Sequence, residues 1–70
     1  MSLNDLRRGQ TATIAAITDE MLRVQMLRFG LSQGTLVRCH VHIPFGPVVL
    51  QYGGQEIALG RDIARSIPVH

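Results

Sequence analysis

The sequence predicts a small, mostly β domain: a barrel of about five short strands, with one short α-helix between the first two strands. Three observations favour this fold class. Apolar and polar residues alternate with a period of two over residues 35–43, which is typical of a half-buried strand. Glycines and prolines divide much of the remaining chain into short segments. The length of 70 residues, 46% of them hydrophobic, allows one domain with one small core.

The first residues predict one helical turn that covers the core. Ser2 and Asp5 form the Ser-x-x-Asp pattern of a helix start, and Leu3 and Leu6 are three residues apart. We expect both leucines to be buried and Gly9 to end the turn.

Residues 11–18 are small or β-branched and predict the first strand. Ala12 and Ile14 fall on its inner face. Ala16 continues that face if the strand stays regular, and Ile17 replaces it if the strand contains a bulge.

Residues 21–29 predict a helix that either Asp19 or Thr18 caps at its N-terminus. Gly30 is placed to end this helix in a left-handed conformation, and Leu31 is then expected to pack back against it. A turn at residues 32–34 leads into the next strand.

The two faces of this helix have different expected roles. Leu22, Met26 and Phe29 follow the i, i+4, i+7 spacing, and we assign them to the core. Val24 and Leu27 lie on another side, which stays in water unless the N-terminal turn or the 44–47 loop covers it. This second face is the predicted docking surface for a protein partner, or for a second copy of the chain in a homo-oligomer. The candidate partner-binding residues are Val24, Leu27, Arg23 and Arg28.

The alternation over residues 35–43 predicts the second strand and the direction of each of its side chains. The inner face consists of Val37, Cys39, Val41 and Ile43, and the outer face of Leu36, Arg38, His40 and His42. Cys39 is expected to act as a small buried hydrophobe, because both histidines that could activate its thiol lie on the opposite face.

His40 and His42 are two residues apart on one strand, so their side chains are expected to point the same way, about 7 Å apart. Two imidazoles at this spacing can share a divalent metal ion, with His70 as a third nitrogen ligand. Such a site suits Zn or Ni better than Fe(II). The alternative is that these histidines are ordinary surface residues. No cofactor is required by the sequence, and a divalent ion, Fe or Zn, is the candidate ligand.

Turn residues divide the rest of the chain into short elements. The predicted elements are a turn at residues 44–47, a strand at 48–52, a two-glycine turn at 53–54, a strand at 55–59, a helical turn at 60–64 and an edge strand at 66–69.

Composition argues against several functional classes. Cys39 is the only cysteine, which excludes an internal disulfide and favours a reducing, cytoplasmic setting. The sequence shows no signal pattern and no apolar run that could insert into a membrane, so we expect a soluble protein. The net charge of +2 and the three aromatic residues argue against binding to nucleic acid and against an aromatic groove for proline-rich peptides.

The sequence contains no recognisable catalytic constellation. No nucleophile stands with a base, and Asp5, Asp19 and Glu20 are better explained as helix caps than as an acid–base pair. No glycine-rich loop follows a strand and opens a helix, as phosphate binding requires. We therefore expect a binding protein and not an enzyme.

Several motifs, in order, resemble the FeoA family. Residues 26–34, Met-Leu-Arg-Phe-Gly-Leu-Ser-Gln-Gly, are similar to its Leu-Leu-x-Leu-Gly-Leu-x-x-Gly stretch. Residues 44–48 resemble the turn between its second and third strands, and residues 54–69 its closing hairpin and final strand. The resemblance covers about residues 3–69. Gln25 and Gly60 stand where the family often has basic residues.

This resemblance implies an SH3-like barrel and a cytoplasmic accessory role in bacterial ferrous iron uptake. The implied partner is the cytoplasmic G-protein region of a FeoB-type membrane transporter, which the chain would bind and regulate. Similar domains form the C-terminus of DtxR-type metal-dependent repressors. With 70 residues and no winged-helix segment before the domain, we do not expect this chain to be a complete repressor. The alternatives are a small-barrel nucleic-acid-binding module and a module associated with a metal-dependent regulator.

Overall fold

The computed structural model describes residues 1–70. Its elements are, in chain order, a 3₁₀ turn Leu3–Asp5, strand β1 Thr11–Thr13, helix α1 Glu20–Leu27, strand β2 Leu36–His42, strand β3 Val48–Tyr52, strand β4 Gln55–Leu59 and helix α2 Arg61–Arg65. The strands form one antiparallel sheet in the order β1-β2-β3-β4. The mostly β fold class and the helix between the first two strands are confirmed. No helix has the length and apolar character needed to cross a bilayer.

A single apolar core holds these elements together, and the N-terminal turn contributes to it as predicted. Leu3 and Leu6 are fully buried. The backbone N–H of Ser2 donates to an oxygen of the Asp5 carboxylate at 2.8 Å, and the hydroxyl of Ser2 accepts from the N–H of Asn4. In this capping box the Ser2 and Asp5 side chains accept hydrogen bonds from backbone N–H groups at the start of the turn.

Strand β1 is shorter than predicted, because the chain leaves the β2 ladder after Thr13. Ile14 is still buried and its N–H donates to the carbonyl of Thr35 at 2.9 Å. Beyond it, Ile17 is buried whereas Ala16 is only half-buried. The larger side chain therefore takes the core position, as expected if the strand does not continue regularly.

The last residues pair differently from the predicted edge strand at 66–69. They form isolated β-bridges instead of a continuous ladder. The N–H of Val69 donates to the carbonyl of Met1 at 3.0 Å, and the N–H of His70 donates to the carbonyl of Thr13 at 2.9 Å. The C-terminal segment thus lies between the N-terminus and β1, and the prediction that it forms an edge is wrong.

Strand β2 follows the predicted alternation only as far as Cys39. Its pairing with β3 shifts between Cys39 and Val41, so that three residues of β2, 39–41, oppose two residues of β3, Leu50 and Val49. The extra residue makes a β-bulge, and the inner and outer faces are exchanged beyond it. The predicted inner positions of Val41 and Ile43 are therefore wrong: Val41 is half-buried, Ile43 is exposed, and His42 instead pairs with the buried Val48.

Candidate functional site

Helix α1 is fixed to the core by one face and leaves another face uncovered. Its N-cap is Asp19, whose Oδ1 accepts a hydrogen bond from the N–H of Leu22 at 2.8 Å. Met26 is buried and Leu22 packs partly buried against the core. Val24 and Leu27, on another side of the helix, are 49% and 50% exposed. This exposure is the one expected from the sequence, while the docking role of the two residues stays a prediction.

Phe29 does not join the core, so its predicted assignment is wrong. The helix ends at Leu27, and the chain reverses at Gly30, which has a φ of 82°. The N–H of Leu31 donates to the carbonyl of Met26 at 3.0 Å, and the Leu31 side chain is fully buried. Leu31 therefore enters the core at the end of the helix, as predicted, whereas Phe29 remains 44% exposed.

A methionine and two arginines extend the exposed surface of α1. Met21 is exposed and, with Val24 and Arg28, lines a shallow groove of about 300 Å³. Arg23 forms an exposed ion pair with Glu20 at 3.2 Å, whereas Arg28 has no carboxylate within ion-pair distance. Sequence reasoning missed Met21, although it stands three residues before Val24 on the same helix surface. We call Met21, Val24, Leu27, Arg23 and Arg28 the α1 face.

The two candidate metal ligands of β2 are not brought together. The Nε2 atom of His40 lies 3.4 Å from a carboxylate oxygen of Glu56 on β4. His42 follows the bulge and lies on the other face, where its Nδ1 donates to the carbonyl of Leu6 at 3.0 Å. His70 pairs through its backbone with β1. No three His, Cys, Asp or Glu side chains are placed to hold a metal ion together. The predicted shared face of His40 and His42 is therefore wrong.

Cys39 is fully buried, as predicted, but it does not lie opposite both histidines. Its Sγ is 4.0 Å from the carbonyl oxygen of Leu6, the same atom that accepts the hydrogen bond of His42. The bulge thus brings one histidine to the cysteine's face. Burial raises the pKa of the Cys39 thiol, which keeps it protonated at neutral pH. A protonated thiol without access to solvent is a structural group and a poor nucleophile.

Comparisons with known proteins agree with the family resemblance. The FeoA domain matches residues 1–70. Among solved structures, an iron uptake regulatory protein, FeoA, is 23% identical with a TM-score of 0.87, over 99% of this chain and 93% of that chain. The FeoA protein from Chlorobium tepidum is 25% identical with a TM-score of 0.85, over 100% of this chain and 69% of that chain.

A further similar structure is that of ScaR with bound Cd²⁺, which is 27% identical with a TM-score of 0.85. That match covers 99% of this chain but 34% of ScaR. A comparison with curated protein sequences finds no match. The FeoA structures are SH3-like, which confirms the predicted fold class. Because the FeoA domain matches the whole chain, this protein belongs to the FeoA family, which implies a role in ferrous iron transport.

Proposed function

We propose that this chain is a non-enzymatic accessory protein of ferrous iron uptake that acts in the cytoplasm by binding a FeoB-type transporter. In this proposal the α1 face contacts the cytoplasmic G-protein region of the transporter and regulates it. Membership of the FeoA family supports the role in iron uptake. The choice of surface rests on one observation: Val24 and Leu27 are half exposed on a helix whose other side is buried.

Burial of this face by a partner would be favourable, since each Å² of apolar surface removed from water contributes about 25 cal/mol. The surrounding charges favour a particular kind of partner surface. Arg28 is exposed and has no carboxylate within ion-pair distance, and the ion pair of Arg23 is at the surface. Exposed arginines at the rim of an apolar contact increase the rate of association with an acidic surface. We therefore expect an apolar patch with acidic neighbours on the G-protein region.

The proposal is tested with the double variant Val24→Glu, Leu27→Glu and the purified G-protein region of a FeoB-type transporter. Carboxylates at two positions buried in a complex are expected to weaken binding by at least about 100-fold, which calorimetry or a pull-down detects. The stability of the unbound protein should not change, because both side chains already contact water. A thermal melt of the variant checks this.

Leu36→Glu is the matched control, because Leu36 is an exposed aliphatic residue on β2 and not on α1. It is expected to bind the G-protein region as the unchanged protein does. If the double variant binds equally well, or if it unfolds, the α1 face is not the docking surface. If instead the unchanged chain dimerises and the double variant is monomeric without any loss of transporter binding, the face serves self-association.

The arginines of the α1 face provide a finer test. Arg23→Gln, Arg28→Gln is expected to slow association several-fold at low salt and to have little effect at high salt, since rim charges act mainly through long-range attraction. Stopped-flow association rates at the two salt concentrations measure this. A loss of binding that does not depend on salt would contradict a rim position for the two arginines.

A further inference from the structure

A second surface, away from the α1 face, combines an exposed aromatic ring with three arginines. A groove of about 510 Å³ lies between the N-terminal turn, the end of β2, the turn after it and the start of α2. We call it the Phe45 groove. The residues used below are Arg7, Arg8, His42, Phe45 and Arg61, all of which line it. No residue of α1 lines it.

The conformation of Phe45 is costly for stability. Phe45 is the third residue of a turn in which the N–H of Gly46 donates to the carbonyl of Ile43 at 2.9 Å, and its φ is 59°. Glycine and asparagine are the usual residues at such a position, because a larger side chain is strained there. The ring is nevertheless 90% exposed, so it gains almost nothing from the core. A strained backbone residue that presents an apolar side chain to water points to a binding role.

The charges of the Phe45 groove all have one sign. No carboxylate lines it, and neither ion pair of the structure involves Arg7, Arg8 or Arg61. The guanidinium carbon of Arg61 lies 5.9 Å from the centre of the Phe45 ring, a cation–π distance. The hydrogen bond from His42 to the Leu6 carbonyl fixes the imidazole at the groove. The groove is therefore a partly preorganised cationic site beside an apolar ring.

We propose that the Phe45 groove binds an acidic peptide segment, with an apolar or aromatic side chain of the segment against Phe45 and carboxylates on the arginines. Arginine pairs with carboxylate through two parallel hydrogen bonds, which suits a groove with three unpaired guanidiniums. Single-stranded nucleic acid is a weaker fit, because it is usually held by several stacking aromatics in a strongly basic channel. Here Phe45 is the one aromatic residue of the groove, and the net charge of the chain is +2.

The test uses a fluorescein-labelled peptide of sequence EDFEDL, its neutral analogue QNFQNL and a short oligothymidylate, each added to the full chain. The acidic peptide is expected to bind more tightly than the neutral one by at least about tenfold at low salt, as measured by anisotropy. When the acidic peptide is added, the changes in the protein's backbone amide NMR shifts should be concentrated at the N-terminal turn, the turn at Phe45 and the start of α2. Equal binding of both peptides, shifts elsewhere, or tighter binding of the oligonucleotide would overturn the proposal.

Variants separate the ring from the charges. Phe45→Gly removes the ring at a position that glycine tolerates, and Arg7→Gln, Arg8→Gln removes two charges; each is expected to weaken EDFEDL binding about tenfold. Arg65→Gln removes an exposed arginine that does not line the groove and is expected to change binding less than about twofold. An equal loss for Arg65→Gln would reduce the effect to net charge and contradict a built site.

The Phe45 groove shares no residue with the α1 face, so peptide binding there is independent of the proposed transporter docking. The Val24→Glu, Leu27→Glu variant is expected to bind EDFEDL normally, and Phe45→Gly to leave the folded state intact. Loss of peptide binding in the α1 variant, with its fold retained, would place the acidic peptide on the α1 face and overturn the assignment to the groove.

Discussion

The turn that ends α1 and the turn that joins β2 to β3 each place one residue in the left-handed region of backbone conformation. At the end of α1 that residue is Gly30, with a φ of 82°, and it is followed by the fully buried Leu31. After β2 it is Phe45, with a φ of 59°, whose side chain stays in water. The first turn uses the residue that its geometry favours and returns the chain to the core. The second turn places a phenylalanine where its geometry favours glycine, and it leads to the buried Val48 only after Gly46 and Pro47. The proposed peptide site would explain why a phenylalanine stands there.

The largest effect expected from a single substitution in either turn is that of Leu31→Ala. Removal of a fully buried leucine leaves a cavity and costs about 2 to 5 kcal/mol, a large part of the stability of so small a domain. Urea unfolding followed by circular dichroism measures the loss. A cost below 1 kcal/mol, on the order of a surface substitution, would show that the α1 turn does not anchor the chain and would remove the contrast between the two turns.

A comparison of Gly30→Ala with Gly34→Ala measures how much the close approach of Tyr52 adds to the cost of a side chain at a positive φ. Both glycines have a positive φ, but a Cβ at Gly30 would lie 3.0 Å from Cε2 of Tyr52, whereas a Cβ at Gly34 meets nothing within 4 Å. We expect Gly34→Ala to cost about 1 kcal/mol and Gly30→Ala about 2 to 3 kcal/mol. Equal free energies of unfolding for the two variants would show that the Tyr52 ring moves away from the new Cβ without loss of stability.

Phe45→Gly and Phe45→Ala make the converse comparison in the second turn. Both variants lose the contact of the ring with Arg61, but only alanine keeps a Cβ at a positive φ. The free energy released by removing the strained Cβ is expected to exceed the entropic cost of ordering a glycine on folding. The glycine variant is therefore expected to be more stable than the alanine variant by about 1 kcal/mol. Thermal melts of the pair measure this. Greater stability of the alanine variant would mean that the turn at Phe45 is unstrained.

The smallest effect concerns the buried thiol of Cys39. Its pKa is raised above its ordinary value of about 9.0, so the folded state holds the proton more tightly than the unfolded state does. The free energy of unfolding is therefore expected to fall slightly as the pH rises past about 9. A weaker fall in Cys39→Ala, measured by urea unfolding, would confirm the source. The rate at which a thiol-specific reagent modifies Cys39 also measures how often the core opens. Leu31→Ala is expected to increase this rate, and Phe45→Gly is expected to leave it unchanged.

The sequence predicts the α1 region well because local rules act there. The cap at Asp19, the left-handed Gly30 and the return of Leu31 each depend on neighbouring residues. Phe29 is wrongly assigned because helical spacing is extended past Leu27, where the helix has already ended. The exposure of Val24 follows from the same spacing inside the helix and is correctly predicted.

The second half of β2 could not be predicted from its own residues. Polar and apolar residues continue to alternate through the bulge, so nothing in residues 39–43 marks the extra residue. Its position is set by the pairing with β3. The faces of His42 and Ile43 therefore depend on a strand later in the chain, and the metal hypothesis depended on those faces. The Phe45 groove is missed for a related reason, because Arg7 and Arg61 become neighbours of Phe45 only in the folded chain.

The pairing of the two chain ends has a consequence for synthesis. The N–H of Leu3 donates to the carbonyl of Ile67, and the N–H of Val69 to that of Met1, while both Ile67 and Val69 belong to the core. During synthesis, residues 1–3 are made before the sheet and residues 67–69 after it, so these contacts form only when both ends of the domain are available. The complete core therefore forms only after residue 69 has left the exit tunnel, which couples the folding of this domain to the end of its own synthesis.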